Sequence, residues 1–107
     1  MNLILKLKIW RIEKALRNLV SAHGFKPMVW SFGAYCIDPK NLVFVVGVPT
    51  DEAKTALKAK SNFMAAIPKL LETYNWPLQA RPYVVFDVES QETVDRENNG
   101  NWWFHYK

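Results

Sequence analysis

Leu5, Ile9, Ile12, Leu16, Leu19 and His23 recur at spacings of four, three, four, three and four, which brings all six side chains onto one stripe of an α-helix. A long first helix is predicted. Gly24 should end it, because glycine takes the left-handed conformation that closes helices, while Phe25 is placed to fold back on the last turn and Pro27 blocks continuation. Residues 3–8 also alternate in part like a strand, which bears only on the first turns.

Residues 28–36 (MVWSFGAYC) are rich in β-branched and aromatic side chains, and residues 42–48 (LVFVVGV) are apolar on both faces. Between them Asp38-Pro39-Lys40-Asn41 has proline where a type I turn favours it, so a hairpin is predicted. A strand apolar on both faces belongs at the centre of a sheet or under cover on both sides. Gly33 and Gly47 interrupt the two strands and mark bulges or close backbone approach.

Thr50 precedes Asp51 and Glu52, a helix-start signal that offers a hydroxyl to the orphan amides and two carboxylates to the positive end of the dipole. The stripe that follows is Ala53, Leu57, Met64, Ile67, Leu71 and Tyr74, interrupted at Lys60 and carrying Pro68. A kink is expected, or two helices meeting near Ser61, with the end at Asn75-Trp76-Pro77.

The last third holds residues 83–88 (YVVFDV), a polar stretch over 89–100, and residues 101–107 (NWWFHYK). Two registers compete. Either Asn99-Gly100 is a tight type I′ turn that opposes Arg96 to Trp103, or residues 83–88 pair directly with 102–107 and leave 89–100 as a long acidic loop. The second is preferred, because residues 83–88 otherwise lack a partner of matching length.

The resulting order, α-β-β-α-β-β, predicts an α+β two-layer sandwich with two helices on one face of a four-stranded sheet. Placing the last strand first gives the split βαβ order, so a circularly permuted ferredoxin-like arrangement is the specific form and a meander of two hairpins its alternative.

Length confines this to one domain: 107 residues leave room for a single core, and 50% hydrophobic with 22% charged residues excludes wholesale disorder. Charge adds a polarity. Residues 1–50 carry seven basic and two acidic side chains, whereas residues 82–107 carry two and five, within a net charge of +4. One cysteine, Cys36, makes no internal disulfide. Lys6 and Lys8 interrupt the apolar start, and no run is long enough to span a bilayer, so a cytoplasmic protein without a transmembrane segment is expected.

Candidate chemistry is thin. Asp95 to Gly100 opens like a calcium loop, but its twelfth position is Tyr106 instead of a bidentate carboxylate. Cys36, His23, His105 and Asp38 have no local arrangement that would activate a nucleophile, and the default for a lone cysteine is a small buried group. Neither GxGxxG nor GxxxxGK occurs. No cofactor, no metal and no catalytic activity are predicted. The carboxylates Asp87, Glu89, Glu92, Asp95 and Glu97 crowd one segment, where the ordinary expectation is a solvated loop.

Two binding readings remain. Leu3, Leu7, Trp10, Lys14 and Arg17 repeat opposite the core stripe of the first helix, and with Arg11 they make an apolar patch rimmed by positive charge. This predicts a small non-catalytic interaction or adaptor domain. It would bind a protein partner or a second copy through the first helix and through the open sheet face with its acidic loop (Glu92, Asp95, Glu97). The alternative partner is single-stranded nucleic acid, held by the basic half and by the strand aromatics Trp30, Phe32, Tyr35, Trp102, Trp103, Phe104 and Tyr106.

Overall fold

The computed structural model describes residues 3–106. Helix α1 (Leu3–Ala22) buries Leu5, Ile9, Ile12, Leu16 and Val20, the stripe read from the spacing apart from its last turn. Its end is a Schellman motif. Gly24, at φ +85°, lets its own amide donate to Ser21 O (3.0 Å) while the Phe25 amide donates to Val20 O (3.3 Å), and Phe25 packs on the core.

Strands β1 (Val29–Phe32) and β2 (Val43–Val48) pair antiparallel, with Val29 opposite Val46 and Phe32 opposite Val43. The connecting turn closes with the Asn41 amide on Asp38 O at 2.9 Å. β1 is shorter than residues 28–36 because the chain turns away at Gly33, whose φ is +126° and where a Cβ would stand 2.2 Å from Asn41 O. Close approach is therefore the reason for this glycine.

Helix α2 (Asp51–Lys58) starts from Thr50, whose hydroxyl accepts from the Ala53 amide at 3.0 Å, and α3 (Ser61–Thr73) follows it. The stripe thus divides into two helices at Lys60. α3 ends in a second Schellman motif: Asn75 takes φ +56°, and the amide of the fully buried Trp76 donates to Leu71 O at 2.9 Å. A 3₁₀ turn (Leu78–Tyr83) leads into β3 (Val85–Ser90), which pairs parallel to β2 with Val43 opposite Val85 and Val48 opposite Ser90. β2, α2, α3 and β3 are a βαβ crossover, and β2 is the central strand, as its two apolar faces require.

The α+β class stands, and the four-stranded sheet does not. The sheet has three strands in the order β1-β2-β3, with neither a ferredoxin-like arrangement nor a meander of two hairpins. β3 finds its partner in β2 and, among the described residues, not in 102–106, while Lys107 lies outside them. Residues 89–100 form no acidic loop: Ser90 accepts from the Thr93 amide at 3.0 Å and starts helix α4 (Gln91–Asn98). The turn at Asn99-Gly100 has both φ angles positive, at +51° and +79°, with the Asn101 amide on Asn98 O at 2.9 Å. That is type I′ geometry joining two helices in place of two strands. Residues 101–106 supply the short helix α5 (Trp102–His105), because Asn101 caps it by accepting from the Phe104 amide at 3.1 Å.

The core lies between α1, α2 and α3 and one sheet face, where Phe44 stacks on Phe86 at 5.0 Å and Val46, Val48 and Val88 are buried. α5 lies on the other face.

Candidate functional site

Strand alternation sends Val29 and Ser31 toward α1 and turns Trp30 and Phe32 to the opposite face. There they meet α5. Trp30 packs edge-on against Trp102 with ring centroids 4.8 Å apart, Phe32 lies 5.6 Å from Tyr106, and Trp102 stacks parallel to Tyr106 at 6.5 Å. With Trp103 these rings line a pocket of about 370 Å³, within the size range of small-ligand sites. Every lining residue among those described is aromatic.

Two polar atoms of this wall are engaged by neighbouring side chains. Trp102 Nε1 donates to Gln91 Oε1 and the Tyr106 hydroxyl donates to Asp87 Oδ2, each at 2.8 Å. Burial, the bond to Asp87 and the charges of Asp87 and Glu89 together push the Tyr106 phenol well above its ordinary range, so it stays protonated. No cation among the described residues pairs with Asp87.

Behind the pocket Glu89 is the hub of a charged cluster. Its Oε1 accepts from Lys54 Nζ and its Oε2 meets His105 Nε2, each at 2.8 Å. Asn98 Nδ2 lies 2.8 Å from His105 Nδ1, so with the amide donating there the ring proton sits on Nε2 and is donated to Glu89. Burial alone would raise the Glu89 carboxyl, but the bonds from Lys54, the Ser90 amide and His105 hold it down to about 2.

A second polar knot joins α2 to α4. Asp51 accepts from the Ser90 hydroxyl, from Thr93 Oγ1 at 2.7 Å and from Arg96 Nη1 at 3.0 Å, which lowers its carboxyl below the usual carboxylate range. The same hydroxyls tie the start of α4 to the start of α2.

The patch on α1 is outward-facing: Leu3 is 72%, Leu7 48% and Trp10 54% exposed. Lys14 Nζ stands 5.5 Å over the Trp10 ring, and Arg11 is exposed beside it. Trp10, Arg11 and Lys14 edge a groove of about 380 Å³ that runs to Tyr74 at the end of α3. Arg17 is different, since its Nη2 donates to Val29 O at 3.0 Å and ties α1 to β1.

The three predicted acidic site residues lie on α4, where Glu92 and Asp95 accept hydrogen bonds within the fold. Glu92 Oε1 accepts from the Asp51 amide at 2.8 Å, Asp95 Oδ1 from Gln91 Nε2 at 2.8 Å, and Glu97 Oε2 is 3.9 Å from His105 Nδ1. Cys36 is exposed instead of buried, and His23 packs edge-on against Phe63 at 5.5 Å, so the Cys36, His23, His105 and Asp38 set is not brought together. No group of three metal-ligating side chains gathers among the described residues. No helix there is long and apolar enough to cross a membrane.

Sequence reading missed the pocket as a site, although it named all five rings as strand aromatics. The signal was present: Trp102, His105 and Tyr106 sit at i, i+3 and i+4, a helical spacing. Comparison with known proteins adds no constraint, as no family model, curated protein or solved structure matches the chain. Geometry alone has to carry a functional reading.

Proposed function

We propose that this is a non-catalytic adaptor domain that docks an acidic amphipathic helix of a partner protein on the outer face of α1, in the cytoplasm, where the exposed thiol of Cys36 stays reduced. The observation that carries the reading is the stripe of Leu3, Leu7 and Trp10 turned to solvent beside Arg11 and Lys14. Apolar surface rimmed by positive charge has the make-up of an interface hot spot. The nearest carboxylate on the helix, Glu13, is taken by the Ser31 hydroxyl at 2.9 Å.

Charge selects among occupants. A second copy presenting the same face would set Arg11 and Lys14 against their own counterparts, and self-complementary contact of like charges is repulsive. The groove beside Trp10 accepts a protruding side chain, which suits a folded peptide better than a bilayer surface. Single-stranded nucleic acid gains less support, because the strand aromatics pack over Asp87, where phosphate would be repelled.

The test is a titration of isotope-labelled protein with a synthetic helix bearing leucines on one face and glutamates on the other. Resonance shifts should cluster on α1, and Trp10→Glu should weaken binding about tenfold or more while the melting temperature holds. Binding to phosphatidylserine vesicles without binding to the peptide overturns the reading, as does unfolding of the Trp10→Glu protein.

A further inference from the structure

We propose that the pocket formed by Trp30, Phe32, Trp102, Trp103 and Tyr106 binds an alkylated ammonium cation, such as a trimethylammonium headgroup or a methylated lysine side chain. The site lies across the sheet from α1 and stands independently of the partner surface there.

Three observations fix the ligand class. First, the walls are aromatic rings, whose faces are negative and attract a cation that brings apolar methyl groups with it. Second, the hydrogen-bond donors of two of those rings are spent elsewhere, Trp102 Nε1 on Gln91 and the Tyr106 hydroxyl on Asp87, so neither is available to grip a carboxylate or phosphate. Third, Asp87 stands directly behind the Tyr106 wall as a half-buried carboxylate with no cationic partner among the described residues. Its neighbour Glu89, by contrast, is already paired with the Lys54 ammonium and also bonded to His105.

A bare ammonium would lose strong hydration on entering such a wall, whereas an alkylated one is weakly hydrated and gives up little. An anion would gain no bond from Trp102 Nε1 or the Tyr106 hydroxyl and would be repelled by the charge of Asp87 behind the wall. A neutral apolar group fits by shape alone, and comparison with a neutral isostere separates the two.

The experiment is calorimetric titration of the full chain with choline, with 3,3-dimethylbutan-1-ol as its uncharged isostere, and with a peptide carrying trimethyl-lysine. Choline should bind about tenfold more tightly than the isostere, and Asp87→Asn, which keeps a side chain able to accept from Tyr106, should remove most of that preference. Trp102→Ala should abolish binding. Should that variant unfold, Phe32→Leu replaces it, since Phe32 is exposed at the rim and outside the core. If the peptide binds about tenfold more tightly than choline, a protein is the source of the cation, and the reverse order points to a small molecule. Equal affinity for choline and its isostere, no binding of either cation, or binding untouched by these substitutions overturns the proposal.

Discussion

At the scale of single residues, Gly47 decides where the aromatic wall stands. A Cβ built on it would lie 2.3 Å from Met28 Cε and 3.1 Å from Trp30 Cζ3, so the Trp30 indole leans over bare backbone. Met28 Cε is the tip of a flexible chain and can swing away, while the ring is held by Trp102. Gly47→Ala should therefore change stability by less than about 1 kcal/mol, its strand preference offsetting the crowding. Gly47→Val should lose about 1–3 kcal/mol, because its branches reach the ring. Chemical denaturation measures both, and the near-ultraviolet dichroism of tryptophan should change only for valine. The strand marks Gly47 as a bulge or a close backbone approach, and what approaches is side chain instead, since nothing local tells which ring crosses a strand face.

Among the elements, α4 shows how a helix hides in a polar sequence. Its segment QETVDREN contains one aliphatic residue, Val94, so no apolar stripe marks it. Ser90 starts it nonetheless, accepting from the Thr93 amide while its own proton goes to Asp51. Ser90→Ala should lower stability by about 1–2 kcal/mol and speed amide exchange over α4, through loss of a cap that also joins α2. Asp95→Ala with Glu97→Ala, by contrast, should stay within about 0.5 kcal/mol, because both side chains are exposed and Asp95 bonds only Gln91 within its own helix. Melting curves of the two proteins test the contrast. The same reasoning explains which elements were readable. α1, β2 and α2 carry their signals in sequence, a stripe with a glycine stop, a doubly apolar strand and a Thr50 cap. The pairing of β3 with β2 is a choice among distant segments, and the aromatic run at 101–107 carries strand propensity that the Asn101 cap and the face of the sheet override.

For the molecule as a whole, the sheet separates a basic apolar helix face from an aromatic pocket backed by carboxylates, and Glu89 ties together the elements around that pocket. It lies on β3, takes a proton donor from α2 through Lys54 and another from α5 through His105, and its side chain is only 9% exposed. The carboxyl is held down to about 2 from an ordinary 4.5, so the folded form binds the proton less readily than the unfolded chain. This stabilisation is therefore fully present above about pH 4.5 and is lost as pH falls through that range toward 2, an amount of about 3 kcal/mol. Glu89→Gln should remove it at neutral pH and leave Lys54 facing a neutral amide, giving a protein that is less stable at pH 7 and flatter in its response between pH 5 and 2. Urea melts of both proteins across that interval read the difference. If the two curves fell in parallel, the acid loss would belong to other carboxylates, and the hold on α5 would rest on its ring packing and on the bonds of Trp102 to Gln91 and Tyr106 to Asp87.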